Sequence, residues 1–254
     1  MYSPGFRVRK LAGILRHARY RQALRKGVAA GVEHTVVLAP LRLKTVVDIG
    51  ANRGQFSLVV RELFPEARII AFEPLAEPAS RFRQLFQDDT HSVLYPLAVG
   101  SEEQQQIMHV SAADDSSSLL PPGEEQLRLF PETREAETRE VTVVPLDAIV
   151  QPDELEPPAL LKIDVQGYEH EVLRGCQRLL PHFQYLYIEG SFLELYEGQA
   201  LADELVCMLR EAGFRWKGIY HTLYDAQGRC VQGDLLFERS PAIAQESEPL
   251  SGSA

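Results

Sequence analysis

At 254 residues with 45% hydrophobic side chains, the chain is long enough to bury one sizeable core and short enough to form a single domain. No apolar run approaches the ~20 residues that span a bilayer, and the N-terminus lacks the apolar stretch of a secretory signal. A net charge of −10 argues against a grip on a nucleic-acid backbone. The three cysteines, Cys176, Cys207 and Cys230, show no metal-ligand spacing, which points to reduced thiols and a cytoplasmic setting. Cys176 and Cys207 fall on apolar helix faces, where burial is expected.

The charge is uneven. Residues 1–26 carry eight of the 26 basic side chains and no acidic one, so the rest of the chain holds 18 basic against 36 acidic groups. Leu11, Ile14 and Leu15 interleave with the basic residues, which predicts a helical arm over 1–40. Such an arm packs on the acidic body or makes a peripheral contact with anionic lipid or an acidic partner.

The run from Val46 to Ser57 follows. Its apolar stretch ends in Asp48 and a Gly50-x-Asn52-x-Gly54 turn, after which Phe56, Val59, Val60 and Leu63 recur at i, i+3, i+4 and i+7. Strand, glycine turn and amphipathic helix together are the unit against which nucleotide cofactors dock. A dinucleotide site wants Gly-x-Gly-x-x-Gly, whereas here Gly50-x-Asn52-x-Gly54 is followed by Ser57 with no third glycine in register; Asn tolerates positive φ. Asp48 at the turn would repel a diphosphate and suits a cation. Nineteen positions past Gly54 a second apolar run, Ile69–Phe72, ends in Glu73, placed to hold a ribose diol. S-adenosylmethionine carries an ammonium, a sulfonium and a ribose diol, and so fits this pattern of charge.

Ala79, Phe82 and Phe86 predict a helix, and Val93–Val99 a third strand interrupted by Pro96. The alternation then breaks. Gln106–Val110 and Val141–Leu146 read as short strands around a polar segment with Asp114 to Ser118 and the charged run 131–140, an inserted β-excursion with a loop rather than a helix. Order resumes with a strand at Ala159–Asp164, a helix carrying Val172, Leu173, Cys176, Leu179 and Leu180 on one face, and a strand over Phe183–Ile188 ending at Glu189. A helix over Leu201–Ala212 stops at Gly213; strands near Phe214–Tyr220 and Asp234–Glu238 precede a tail, 241–254, of disordered composition. The domain proper spans 41–240. The order predicts an α/β fold of the class I methyltransferase (Rossmann-like) type: a mostly parallel seven-stranded sheet with a β-excursion between strands three and four. Asp48, Glu73, Asp164 and Glu189 gather at its ligand-binding edge.

Six blocks carry a family resemblance: Asp48-Ile-Gly-Ala-Asn-Arg-Gly54, Ala71-Phe-Glu-Pro74, Leu97-Ala-Val-Gly100, Ser117-Ser-Leu119, Val144-Pro-Leu-Asp147, and Leu161-Lys-Ile-Asp-Val-Gln-Gly-Tyr-Glu169 with Val172-Leu-Arg-Gly175 after it. Over about residues 45–190 the chain resembles the FkbM family of S-adenosylmethionine-dependent methyltransferases. The resemblance implies methyl transfer, often to a hydroxyl of a sugar or polyketide. Carried over by position, Asp48, Gly50, Asn52 and Gly54, with Phe56 and Ser57, form the methionine and ribose end of the cofactor site. Glu73 and Pro74 hold the ribose, and Ala98 and Ser117 flank adenine.

Methyl transfer is an in-line displacement, so the protein must position an oxygen and take its proton. Asp164 is the first candidate base, with Lys162 on the same strand face, and His221 is the candidate imidazole. Asp164 also reads as a contact to the cofactor's amino group or as a helix cap, and Glu169 as a helix-dipole partner. A carboxylate pair of Asp164 and Glu189 leaves Mg²⁺ open, but no ligand spacing assigns a metal. The leading expectation is an O-methyltransferase acting on a small-molecule or glycan hydroxyl. A non-catalytic cofactor-binding module recruited through its arm to a glycan-assembly or membrane partner is the alternative, and a dehydrogenase is a third reading.

Overall fold

The computed structural model describes residues 4–113 and 116–240; the tail at 241–254 lies outside the described residues. The basic arm folds as α1 (Pro4–Arg16) and α2 (Ala18–Arg25), then a 3₁₀ turn (Val32–His34) and α3 (Thr35–Leu38). It packs against the body. Ile14, Tyr20, Ala23 and Val28 join one apolar cluster with Val46 and Val59. Lys10 Nζ donates to Glu33 Oε1 at 2.7 Å, and His17 Nδ1 lies 2.8 Å from Glu62 Oε1. Surface ion pairs are worth ~0–1 kcal/mol, against about 1.5–3 kcal/mol for each large apolar side chain buried, so the apolar residues hold the arm.

Next come β1 (Thr45–Ile49), α4 (Gln55–Leu63), β2 (Arg68–Phe72), α5 (Ala76–Leu85) and β3 (Ser92–Tyr95). The chain leaves this sheet for β4 (Ala98–Val99), β5 (Gln104–Ser111), α6 (Glu124–Leu129) and β6 (Glu135–Val144). It returns through α7 (Leu146–Ile149), β7 (Ala159–Ile163), α8 (Glu169–Arg174), β8 (Tyr185–Ser191) and α9 (Ala202–Glu211), and closes on β9 (Phe214–Tyr224) and β10 (Cys230–Arg239). The main sheet runs β3-β2-β1-β7-β8-β10-β9, with β10 antiparallel to both neighbours. This is the expected class I methyltransferase sheet, and β4-β6-β5 form the expected excursion. Strand alternation sends Val47 and Ile49 into the core beside Val172 and Leu205, and Val46 into the core beside Val59. No helix among the described residues is long and apolar enough to cross a membrane.

Five details differ from expectation. Pro96 does not merely interrupt the third strand; it ends β3, and Ala98–Val99 pairs with β6 in the second sheet, because proline offers no N–H to a ladder. The charged run 131–140 is mostly strand: β6 pairs along β5 and ties its charges to neighbours, with Arg139 Nη1 2.5 Å from Glu77 Oε2 and His109 Nδ1 2.5 Å from Glu135 Oε2. The excursion also contains a helix, α6. Gly123 before it and Glu124 and Glu125 in its first turn are start signals that favour the helix dipole. The helix after β7 stops at Arg174, with Gly175 as its C-terminal cap in a place where a Cβ would come within 1.9 Å of the Gly100 carbonyl oxygen; Cys176, Leu179 and Leu180 are still buried. Finally, Cys207 is exposed, because α9 buries Ala202, Leu205 and Leu209 on another face.

Candidate active site

A cavity of about 680 Å³ lies along the edge where β1, β2, β7 and β8 end. Gly50, Asn52, Phe56, Glu73, Pro74, Ala98 and Ser117 all reach it. Only glycine fits at position 50: φ is +76°, and a Cβ would sit 1.9 Å from the Asp164 carbonyl oxygen. Asn52 takes φ +48°, and its N–H donates to Glu73 Oε2 at 3.0 Å while the Leu75 N–H donates to Oε1 at 2.8 Å. Burial outweighs those two donors and pushes the Glu73 carboxyl up to about 7.

Asp48, Gly54 and Ser57 lie beneath this lining. Asp48 is fully buried, accepts from Ser57 Oγ at 2.7 Å, and has Lys162 Nζ 3.1 Å from Oδ1. Gly54 turns the chain into α4 at φ +90° and makes room for the Phe82 and Phe86 rings. Asp48 and Ser57 support the turn from below, because Asp48 faces α4 on the same side of the sheet as Val46.

Lys162 joins the floor to the reacting end. Its ammonium donates to the Gly50 carbonyl at 2.9 Å and lies 3.6 Å from Asp164 Oδ2. Burial would lower its pKa, but the charges of Asp48 and Asp164 win and raise it. Asp164 faces the cavity. Gln166, at φ +58°, donates its amide to Asp164 Oδ1 at 2.9 Å and to Glu189 Oε2 at 2.6 Å, and Gln232 donates to Glu189 Oε1 at 2.7 Å. An amide therefore stands between the two carboxylates raised above as a Mg²⁺ pair. Burial and the charges of Asp164 and Asp234 lift the Glu189 carboxyl well above its usual range. Glu169 is buried and accepts the Val165 N–H at 3.0 Å and the Gly167 N–H at 3.2 Å. It closes the β7–α8 loop that aims Asp164, and burial pushes its carboxyl up to about 7.

His34, His221 and Asp234 also line the cavity, with the His34 ring 5.2 Å from that of Phe56 and Tyr187 hydrogen-bonded beside them. His221 Nδ1 lies 2.8 Å from Asp234 Oδ2, and Nε2 lies 3.1 Å from the Glu33 carbonyl oxygen. Both ring nitrogens are thus engaged, which leaves this imidazole poorly placed to accept an acceptor's proton. Burial works against its charge, but the hydrogen bond and charge of Asp234 raise its pKa. The Tyr187 hydroxyl donates to Asp234 Oδ2 at 2.7 Å and lies 3.1 Å from His34 Nδ1. Burial holds the His34 pKa low. Asp234 is held low against burial by His221, His34 and Tyr187.

His34, Tyr187 and Asp234 were not singled out from sequence. The signal for Asp234 was present: an acid heads the apolar run Leu235–Phe237. In a strand antiparallel to β8, the start, not the end, meets the ligand edge, and Asp234 pairs in register with Glu189. The excursion supplies a wall, with Ala113, Ser116, Ser117 and Leu119 before α6 and Phe130 to Thr133 after it.

The family model described as the methyltransferase FkbM domain matches residues 48–216. The chain belongs to the FkbM methyltransferase family. It is 28% identical over 193 residues to the 2-O-methyltransferase NoeI of Sinorhizobium fredii (strain NBRC 101917 / NGR234), over 71% of this chain and 77% of that one. It is 28% identical over 194 residues to the methyltransferase sdnD of Sordaria araneosa, over 66% of this chain and 73% of that one. Magnesium protoporphyrin IX methyltransferase from Synechocystis PCC 6803, solved with bound SAM, superposes with a TM-score of 0.45 at 13% identity, over 87% of this chain and 81% of that one.

An FkbM methyltransferase implies S-adenosylmethionine as donor, and the lining suits it. Glu33 Oε2 and Gln55 Oε1 are buried acceptors on the cavity wall with no hydrogen-bond partner among the described residues, so donors on a ligand would satisfy them. Phe72, Leu97, Ala98 and Leu119 give an apolar slot for a purine. His34, His221 and Asp234 lie outside the matched span.

Proposed function

We propose that the protein transfers a methyl group from S-adenosylmethionine to a hydroxyl of a sugar, a glycan or a secondary metabolite. The observation that carries this reading is that one cavity is lined by two chemically different sets of groups. Glu73, the Gly50–Asn52 turn and the apolar slot suit the nucleoside. Asp164, His34, His221 and Asp234 suit an acceptor rich in hydroxyls. The 2-O-methyltransferase among the relatives supports oxygen as the target.

Bound there, S-adenosylmethionine supplies an electrophilic methyl group for in-line displacement. The chain's own residues do the rest. Glu73, once ionised, accepts from ribose hydroxyls. Asp164 takes the acceptor's hydroxyl proton, a contribution of about 10²–10⁴-fold for a positioned base. Lys162 is a positioning residue that fixes Asp164 and the Gly50 turn together. His34 offers a hydrogen bond to a neighbouring hydroxyl, His221 orients Asp234 beside it, and the excursion wall limits water.

The test uses purified protein, donor carrying a ¹³C-labelled methyl, and a panel of monosaccharides, oligosaccharides and polyketide alcohols. Appearance of an O-methyl ether resonance in one acceptor class supports the reading. Label arriving on nitrogen or carbon, or donor binding with no transfer to any acceptor, contradicts it.

A further inference from the structure

We propose that His34, His221 and Asp234 form a binding site for one divalent transition-metal ion of the zinc type at the acceptor end of the cavity. The three residues come from separate parts of the chain: the 3₁₀ turn after the arm, β9, and β10. Their ligating atoms converge within 4.8 Å of one another. Asp234 Oδ2 lies 2.8 Å from His221 Nδ1 and 3.6 Å from His34 Nδ1. Ligands that share one ion at about 2.0–2.2 Å stand roughly 3–3.5 Å apart, so small torsional adjustments bring all three to a common centre.

The surroundings match what such a site requires. Histidines that bind metal give their second ring N–H to a carbonyl or carboxylate, which fixes the tautomer and turns the other lone pair inward. His221 does this: Nε2 meets the Glu33 carbonyl at 3.1 Å, leaving Nδ1 toward the centre. Tyr187 donates to the same Asp234 oxygen at 2.7 Å and its hydroxyl lies 3.1 Å from His34 Nδ1 and 3.2 Å from His221 Nδ1, so it holds all three groups around one point and would give way to a bound ion. His221 is held at φ +49°, an unusual conformation for histidine, which aims its ring at this cluster. Two imidazoles and a carboxylate suit a borderline metal such as Zn²⁺ over Mg²⁺, which prefers oxygen ligands. Three protein ligands leave a coordination position toward the cavity, which all three residues line. The use of that position to acidify an acceptor hydroxyl beside Asp164 rests on the proposed O-methylation. The binding itself does not.

The experiment titrates chelator-treated full-length protein with Zn²⁺ in a calorimeter, without donor or acceptor, and repeats the titration with Co²⁺ to read ligand-field absorption. One equivalent should bind with a micromolar or tighter Kd. Binding should weaken at least tenfold in both His34→Gln and Asp234→Asn. The Co²⁺ bands of the wild type should be those of a low-coordinate nitrogen–oxygen site, a readout that does not depend on the variants folding. The absence of saturable binding, or unchanged binding in both variants, overturns the proposal. Either result stands apart from methyl transfer, because no transfer is measured.

Discussion

Asp48 and Lys162 face each other across adjacent parallel strands, in register, with the ammonium 3.1 Å from a carboxylate that solvent does not reach. The same ammonium holds the Gly50 carbonyl and approaches Asp164. One buried cation therefore couples the cofactor turn to the residue assigned as base.

Removing that cation leaves a buried charge without its partner, which typically costs about 3–5 kcal/mol. Lys162→Met should lower unfolding free energy by about that amount in urea denaturation. Combined with Asp48→Asn, the loss should fall short of the sum of the single losses by more than about 1 kcal/mol, as expected for interacting neighbours. Additive losses would mean that the two groups do not interact.

Gly50 and Gly198 both have positive φ, but only Gly50 faces a close neighbour, the Asp164 carbonyl oxygen at 1.9 Å from a built Cβ; nothing lies within 4 Å at Gly198. Gly198→Ala should cost only the backbone conformation, about 1–2 kcal/mol. Gly50→Ala should cost distinctly more in thermal unfolding and weaken donor binding at least tenfold by calorimetry. Equal effects would remove the steric argument.

Glu73 and Glu169 ionise at about 7 in the folded chain against an ordinary value of 4.5, burial being the main cause in both. The folded state holds these protons more tightly, so the stabilisation is complete below about pH 4.5 and is lost as pH rises through 7. Each group should contribute on the order of 1–3 kcal/mol of this decline without ligand. Urea titrations of Glu169→Gln should show a shallower fall between pH 5 and 8 than the wild type. Donor affinity should rise with pH through the same window as Glu73 becomes an acceptor, and this rise should vanish in Glu73→Gln.

Much of the cavity's strand-end lining was legible because parallel strands advertise their ends. Asp48, Glu73, Asp164 and Glu189 each close an apolar run, and glycine and asparagine mark the turn between. The His34, His221 and Asp234 cluster was less visible for physical reasons. Asp234 precedes its apolar run inside β10 rather than closing it, and only the antiparallel pairing with β8 brings it beside Glu189 at the ligand edge. His34 sits on a 3₁₀ turn in an arm whose sequence is dominated by charge, although apolar residues dock it. His221 is a lone histidine in sequence, and its second nitrogen is occupied by Glu33, a contact between segments 188 positions apart. Sequence separation of that size leaves no periodic trace.

Asp164→Asn keeps the shape of the side chain and removes its basicity. Under the proposed chemistry it should lower kcat by about 10²–10⁴-fold while donor affinity changes less than tenfold, as read by single-turnover transfer and calorimetry. A large loss of donor binding with little loss of the chemical step would make Asp164 a cofactor contact instead.

The division of the cavity into a donor end at Glu73 and an acceptor end at His34 is tested most directly by comparing two variants. Donor Kd and the KM of the hydroxyl acceptor would be measured for wild type, Glu73→Gln and His34→Phe. Glu73→Gln should raise donor Kd and leave acceptor KM near the wild-type value, and His34→Phe should do the reverse. Donor binding lost in His34→Phe, with acceptor KM unmoved, would contradict the assignment of the two ends.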